Sequence, residues 1–368
     1  MKMIPVASVK LTDAEIAAME AVLRSGHLIS GEAVRTLEER FARQVGAAYG
    51  VAVSSGTAAL HVAYLALLEP GDEVLVPVFT HISTASMVHF AGGKAVLCDV
   101  DRKTFTISLE DAARKVTGRT RAIAPVHLFG NACDLEGIQR FAAEHNLKIV
   151  WDAAQAHGTR YDGRDIGSFA DCVTYSFYPT KNMTTGEGGM LVTNDEKLYE
   201  RGKLLRGHGQ TRKYYHESLG LNYRMMEVSG ALGLEQLKRL DEFIARRRHN
   251  ADFLSKRLGK VEGVSVPFIP EGVEHSFHQY SILLDLDRFK CSRDEFVAEL
   301  RTEGVETAVH YPRPVNLQPA FAADQVRAPN AEWLSERIMS LPVHPALTDA
   351  DLDRVCSAVA EVARRNYR

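Results

Sequence analysis

Long apolar runs are missing from this chain. No window of its 368 residues approaches the roughly 18 apolar residues that a membrane-spanning helix needs. The opening Met1-Lys2-Met3-Ile4-Pro5 has no apolar core of the kind a secretory leader carries, so a cytoplasmic protein is expected. Cysteine is sparse: Cys98, Cys133, Cys172, Cys291 and Cys356 are odd in number and form no C-x-x-C pair. That usage excludes a disulfide framework or a zinc ribbon, and no metal is expected. Excess charge of one sign is also lacking. The net charge is −3 and the signs are mixed, so neither a nucleic-acid stripe nor a membrane surface is expected. The short run Arg246-Arg247-Arg248 falls in a helical pattern and reads as a solvated face. No G-x-x-x-x-G-K-[ST] occurs and no G-x-G-x-x-G follows the first strand, which sets aside a P-loop and a nicotinamide dehydrogenase.

What is present is alternation. Apolar strand patterns at 50–53, 72–77, 95–100, 121–125 and 147–152 are separated by helical patterns at 57–63, 83–90, 109–116 and 135–145. Earlier, Thr12 and Glu15 have capping-box spacing, and a second helix is expected over 33–45. Such alternation with short loops predicts an α/β fold with a mixed, mostly parallel sheet covered on both faces. After Val192 the pattern turns helical, with one long helix expected from about Glu227 past Arg246. We place a domain boundary inside it: a large domain over 1–240, and a smaller C-terminal α+β domain over 241–368 with a strand at 280–286 and helices at 293–303 and 349–365.

Four features follow one another along the chain. At Ser54-Ser55-Gly56-Thr57-Ala58 a short strand gives way to a helix start, whose free N–H groups suit a phosphate, although every helix needs a cap. His81 can stack on a flat ring, or be an ordinary surface histidine. Asp152 ends an apolar strand, where ligands of parallel sheets sit. Lys181 lies on a turn between strands 173–177 and 190–192, behind Pro179 and before the glycine-rich 186–189 run. In a dry site such a lysine loses its proton and becomes a Schiff-base amine; in a wet one it is a solvated loop residue.

Ser176-Phe177-Tyr178-Pro179-Thr180-Lys181-Asn182 with Gly186-Glu187-Gly188-Gly189, and Asp152-Ala153-Ala154-Gln155-Ala156-His157-Gly158, resemble the motifs of the DegT/DnrJ/EryC1/StrS family. Those are pyridoxal-phosphate (PLP) sugar aminotransferases of fold type I, the aspartate aminotransferase-like fold, and the likeness runs from about residue 10 to the end. The resemblance implies PLP/PMP as cofactor, with Lys181 as its covalent anchor and proton carrier and Asp152 on the pyridine nitrogen. It further implies Gln155 on the ring's phenolic oxygen, His81 stacked on the ring, and Gly56, Thr57, Ala58 and Ser176 around the phosphate. Asn222, in Leu221-Asn222-Tyr223-Arg224, is implied to reach the phosphate of a neighbouring subunit, giving a homodimer with shared active sites. His310, Tyr311, Arg313, Asn316 and Arg224 are the implied substrate-side residues. Two positions depart from the family pattern: His81 replaces a larger aromatic, and Asn316 stands where a histidine is usual. The implied activity moves an amino group from an amino acid, glutamate foremost, to a keto group of a nucleotide-linked deoxy sugar. The alternatives are a cyclitol or other cyclic ketone as acceptor, and a non-catalytic PLP-binding regulator. A dehydratase of the same family would carry histidine in place of Lys181.

Overall fold

The computed structural model describes residues 2–169 and 171–368. Two four-stranded sheets lie side by side. In one, Lys94–Cys98, Glu73–Pro77, Thr120–Ile123 and Lys148–Ile149 run parallel; in the other the order is Tyr49–Val53, Gly189–Thr193, Val173–Ser176 and Trp151–Asp152. The run from Lys148 to Asp152 joins them. Val150 N–H donates to Ile123 O on one side, and Trp151 N–H to Cys172 O on the other, both at 3.0 Å. Only Gly189–Thr193 runs antiparallel to its neighbours. The sheet is therefore mixed and mostly parallel, as the alternation predicts.

Apolar clusters cover both faces of this sheet. That explains a detail the alternation of Val173, Tyr175 and Phe177 with Thr174 and Ser176 did not convey: all four residues of Val173–Ser176 are buried, polar ones included. A third cluster gathers the antiparallel strands Val264–Ser265, Tyr280–Leu284 and Ile338–Leu341 with helices Leu240–Leu258, Arg293–Thr302 and Asp349–Asn366. It also takes in Ile4 from the N-terminal end, while Val315, Phe321 and Leu334 pack back onto the first cluster.

The long helix expected from Glu227 is two helices, Glu227–Lys238 and Leu240–Leu258, interrupted at Arg239. The hydrophobic period continues across the break, so periodicity alone does not reveal it. The strand expected at 95–100 ends at Cys98, and the helix expected over 109–116 ends at Ala113.

Helix Glu32–Gln44 begins at Gly31, which has no side chain to cap it. Glu227 does so from far along the chain, accepting from the N–H groups of Gly31 and Ala33 at 2.6 Å and of Val34 at 3.3 Å. A carboxylate at a helix N-terminus also meets the positive end of the helix dipole. Glu227→Ala should therefore lower the free energy of unfolding by about 2–3 kcal/mol in urea titrations, since charge-assisted bonds to buried N–H groups are lost. A loss under about 0.5 kcal/mol would show that water takes over the cap.

Candidate active site

The carboxyl ends of the parallel strands open into a cavity of ≈ 620 Å³. Its wall contains Gly56, Thr57, His81, Asp152, Gln155, Ser176, Lys181, His310 and Tyr311, each named from the sequence. Ala58, Asn222, Arg224, Arg313 and Asn316 are not part of it.

Asp152 is 4% exposed, and among the described residues no cation comes within ion-pair distance of it. Its carboxylate accepts from Thr84 Oγ1 at 2.8 Å and from the Ala154 N–H at 3.1 Å. Burial raises its pKa; those two donors and the nearby Lys181 pull it back down. Thr84, on helix Ser83–Phe90, was not foreseen as a site residue; its partner is set by packing between two elements, which no local motif records.

Lys181 sits on a turn closed by its own N–H to Tyr178 O, 2.9 Å. Of the four residues Gly186–Gly189, only Gly186 takes a left-handed conformation, at φ +80°. Gly189 is required instead for close approach, because a Cβ there would strike the Ser55 carbonyl. Burial depresses the Lys181 amine to about 8, and the attraction of Asp152 opposes that shift without cancelling it. The imidazoles around it are neutral: burial holds His310 at about 4 and His157 at about 3, and both feel the lysine's charge.

At the helix start, the N–H groups of Gly56 and Thr57 have no acceptor among the described residues. The Ala58 N–H, expected to serve an anion, is taken by Ser55 Oγ at 3.1 Å, so the open donors lie one step earlier. Gly56 is necessary here: a Cβ would come to 2.6 Å from the Ser176 Cβ, and that contact brings strand and helix start together. Gln155 is held at both ends, accepting from Phe129 N–H at 2.8 Å and donating to Tyr311 Oη at 3.0 Å. One of its two amide N–H groups stays free to face the cavity. His81 is at the exposed rim, with Nδ1 2.7 Å from Ser83 Oγ. His278 and Gln279 also line the cavity and carry no sequence signal, since they arrive on the irregular approach to strand Tyr280–Leu284.

Asn316, expected on the substrate side, lies outside the cavity wall of its own chain. It is buried, but its amide donates to Val326 O and Glu332 Oε1, both at 3.0 Å, so it staples its own loop. Arg313, Arg224 and Asn222 are exposed outside the cavity of their own chain.

A buried carboxylate without a counter-cation, an amine pushed toward neutrality and open N–H donors at a helix start together fit PLP: a protonated ring nitrogen, an aldehyde and a phosphate in that order. The fold and site define a PLP-dependent enzyme of the aspartate aminotransferase-like type. Comparison with known proteins makes this definite. The model of the DegT/DnrJ/EryC1/StrS aminotransferase family matches residues 9–360. GDP-perosamine synthase of Escherichia coli O157:H7 is 37% identical over 366 residues, covering 98% of this chain and 99% of that one. A pleiotropic regulatory protein of Geobacillus stearothermophilus is 38% identical over 353 residues, covering 94% and 93%. The solved structure of DesV from S. venezuelae superposes with a TM-score of 0.95 at 35% identity, over 99% of this chain and 100% of that one. The chain belongs to the DegT/DnrJ/EryC1/StrS aminotransferase family, and is a PLP-dependent sugar aminotransferase.

Only the neutral amine condenses with an aldehyde. The rate at which apoprotein captures PLP, followed by absorbance, should therefore rise with pH through about 8 and level off above it. A midpoint near the ordinary 10.5 would contradict the desolvated setting of Lys181.

Proposed function

We propose that this protein transfers an amino group from glutamate to the keto carbon of a nucleotide-linked deoxy sugar. The observation that carries the reading is Asp152, an enclosed carboxylate with no ion-pair partner among the described residues, set in the same cavity as a lysine driven toward its neutral form. When bound, PLP supplies a carrier for the amino group and an electron sink for the Cα–H bond pair. Lys181 holds the cofactor through Nζ. Freed of that link, the same Nζ would act as the base and acid that moves a proton at the Cα of the donor and, in the opposite direction, at the acceptor carbon of the sugar. Asp152 keeps the ring nitrogen protonated. Gly56, Thr57 and Ser176 would hold the phosphate, His81 would stack on the ring from the rim, and the free N–H of Gln155 would serve the ring oxygen. His310 and Tyr311 face the acceptor.

The nucleotide-linked acceptor is supported by the perosamine synthase and DesV likenesses, which extend over nearly the whole chain. A homodimer with shared sites is supported by what the cavity lacks. Lys181 is the only Lys or Arg in its wall among the described residues, although phosphates need donors. Asn222 stands exposed outside the cavity of its own chain, available to a neighbour. The five cysteines are free, which agrees with a reducing, cytoplasmic setting. Among the described residues no helix is long and apolar enough to cross a membrane.

The regulatory name of one relative keeps a second reading in view, that of a PLP protein without turnover. Mixing the PLP-loaded protein with glutamate separates the two. Amino transfer predicts conversion of the cofactor absorbance to that of PMP, release of 2-oxoglutarate, and loss of both in Lys181→Ala. An unchanged spectrum in the wild type would leave only the binding role. Parallel assays with nucleotide ketosugars and free ketocyclitols should show turnover with the former alone.

A further inference from the structure

Lys181 borders two cavities. Behind the turn that carries it lies a second one, of ≈ 260 Å³, which shares only Thr180 and Lys181 with the first. Its charged wall comes from Lys10 near the N-terminal end, and from Arg239, Glu242 and Arg247 at the break between helices Glu227–Lys238 and Leu240–Leu258 and beyond it.

Arg247 is the anomaly there. It is 6% exposed, yet its guanidinium meets only main-chain carbonyls, Nη1 donating to Phe277 O at 3.1 Å and His278 O at 3.3 Å. Its Nε has no partner, and no carboxylate among the described residues reaches it. Burial alone acts on its pKa, drawing it down to about 10 with no compensating anion. Arg239, by contrast, is paired with Glu15 at 3.2 Å and Glu242 at 3.5 Å, so the acid in this wall is already spoken for. His344, which feels the charges of both Arg247 and Lys10, is held neutral by burial. A guanidinium enclosed without a counter-charge is costly, and the cost falls when an anion enters.

We propose that this second cavity binds a small organic carboxylate, with Arg247 as its anchor and Lys10 as the outer charge. The Nη2 end of the guanidinium, free of the carbonyls that hold Nη1, is the part that would meet a carboxylate in a charge-assisted hydrogen bond. Val9, Pro179, Phe243, Pro345 and Ala346 supply apolar wall suited to a short carbon chain, which a bare inorganic ion would leave unused. A ligand here rests against Pro179, Thr180 and Asn182 and so braces the turn of Lys181 from behind. The inference is independent of amino transfer, because it rests on the cavity and its charges.

The test is a calorimetric titration of succinate into the PLP-loaded protein at constant ionic strength, with chloride and phosphate as controls. A saturable heat is expected with succinate and not with the inorganic ions. Lys10→Gln, an exposed change, should weaken binding about two- to fivefold. Arg247→Lys, which keeps the charge and loses the fork, should weaken it about tenfold. Unchanged cofactor absorbance will show that each variant is folded and its main cavity intact. If Arg247→Lys does not fold, Lys10→Gln decides alone. Absence of a saturable heat, or wild-type affinity in Lys10→Gln, overturns the proposal.

Discussion

The buried carboxylate of Asp152, which has no ion-pair partner among the described residues, is the constraint around which the molecule is arranged. A carboxylate at the end of a buried strand is tolerated only if donors reach it, and here they come from two directions: the Ala154 N–H in its own turn, and the Thr84 hydroxyl on a neighbouring helix. Thr84 is itself held. Its hydroxyl lies 3.0 Å from Thr80 Oγ1, and its carbonyl accepts from Tyr64 Oη at 3.0 Å. Tyr64 belongs to helix Gly56–Leu67, whose first N–H groups face the cavity. Hydrogen bonds thus run from the Asp152 carboxylate through Thr84 to the helix whose first N–H groups line the cavity.

Electrostatics explains why so few formal charges suffice. Lys181 is depressed toward neutrality, and His310, His157 and His278 are kept uncharged by burial. Within this chain, positive potential in the cavity comes from the unpaired Gly56 and Thr57 N–H groups, which do not titrate and carry no desolvation cost of the kind a buried ammonium has. The same setting leaves Lys181, held at about 8, present in both protonation forms near neutral pH, as the proposed proton carrier needs to be.

Much of this was legible from residues alone, because local signals carried it. Alternating strand and helix patterns gave the mostly parallel sheet. A strand-end acid, a helix start rich in small residues and a lysine behind proline marked the cavity wall. What escaped reading depends on contacts between distant segments. The helix break at Arg239 interrupts no hydrophobic period. Glu227 caps a helix nearly two hundred residues before it. Thr84 meets Asp152 only once the sheet is assembled, and Asn316, placed by motif in a substrate loop, turns to Val326 and Glu332 because its own loop needs the bonds. Of the helix-start donors Gly56, Thr57 and Ala58, only Ala58 is lost, for a related reason: the side chain of Ser55 caps the helix and takes its N–H.

The most direct measurement of the central claim is nitrogen NMR on protein loaded with PLP labelled at the ring nitrogen. If Asp152 is there to balance a cationic ring, that nitrogen will be protonated at pH 8 in the wild type and will lose its proton in Asp152→Ala while the cofactor stays attached to Lys181. A ring nitrogen already unprotonated in the wild type at pH 8, or one indifferent to the loss of Asp152, would contradict the account.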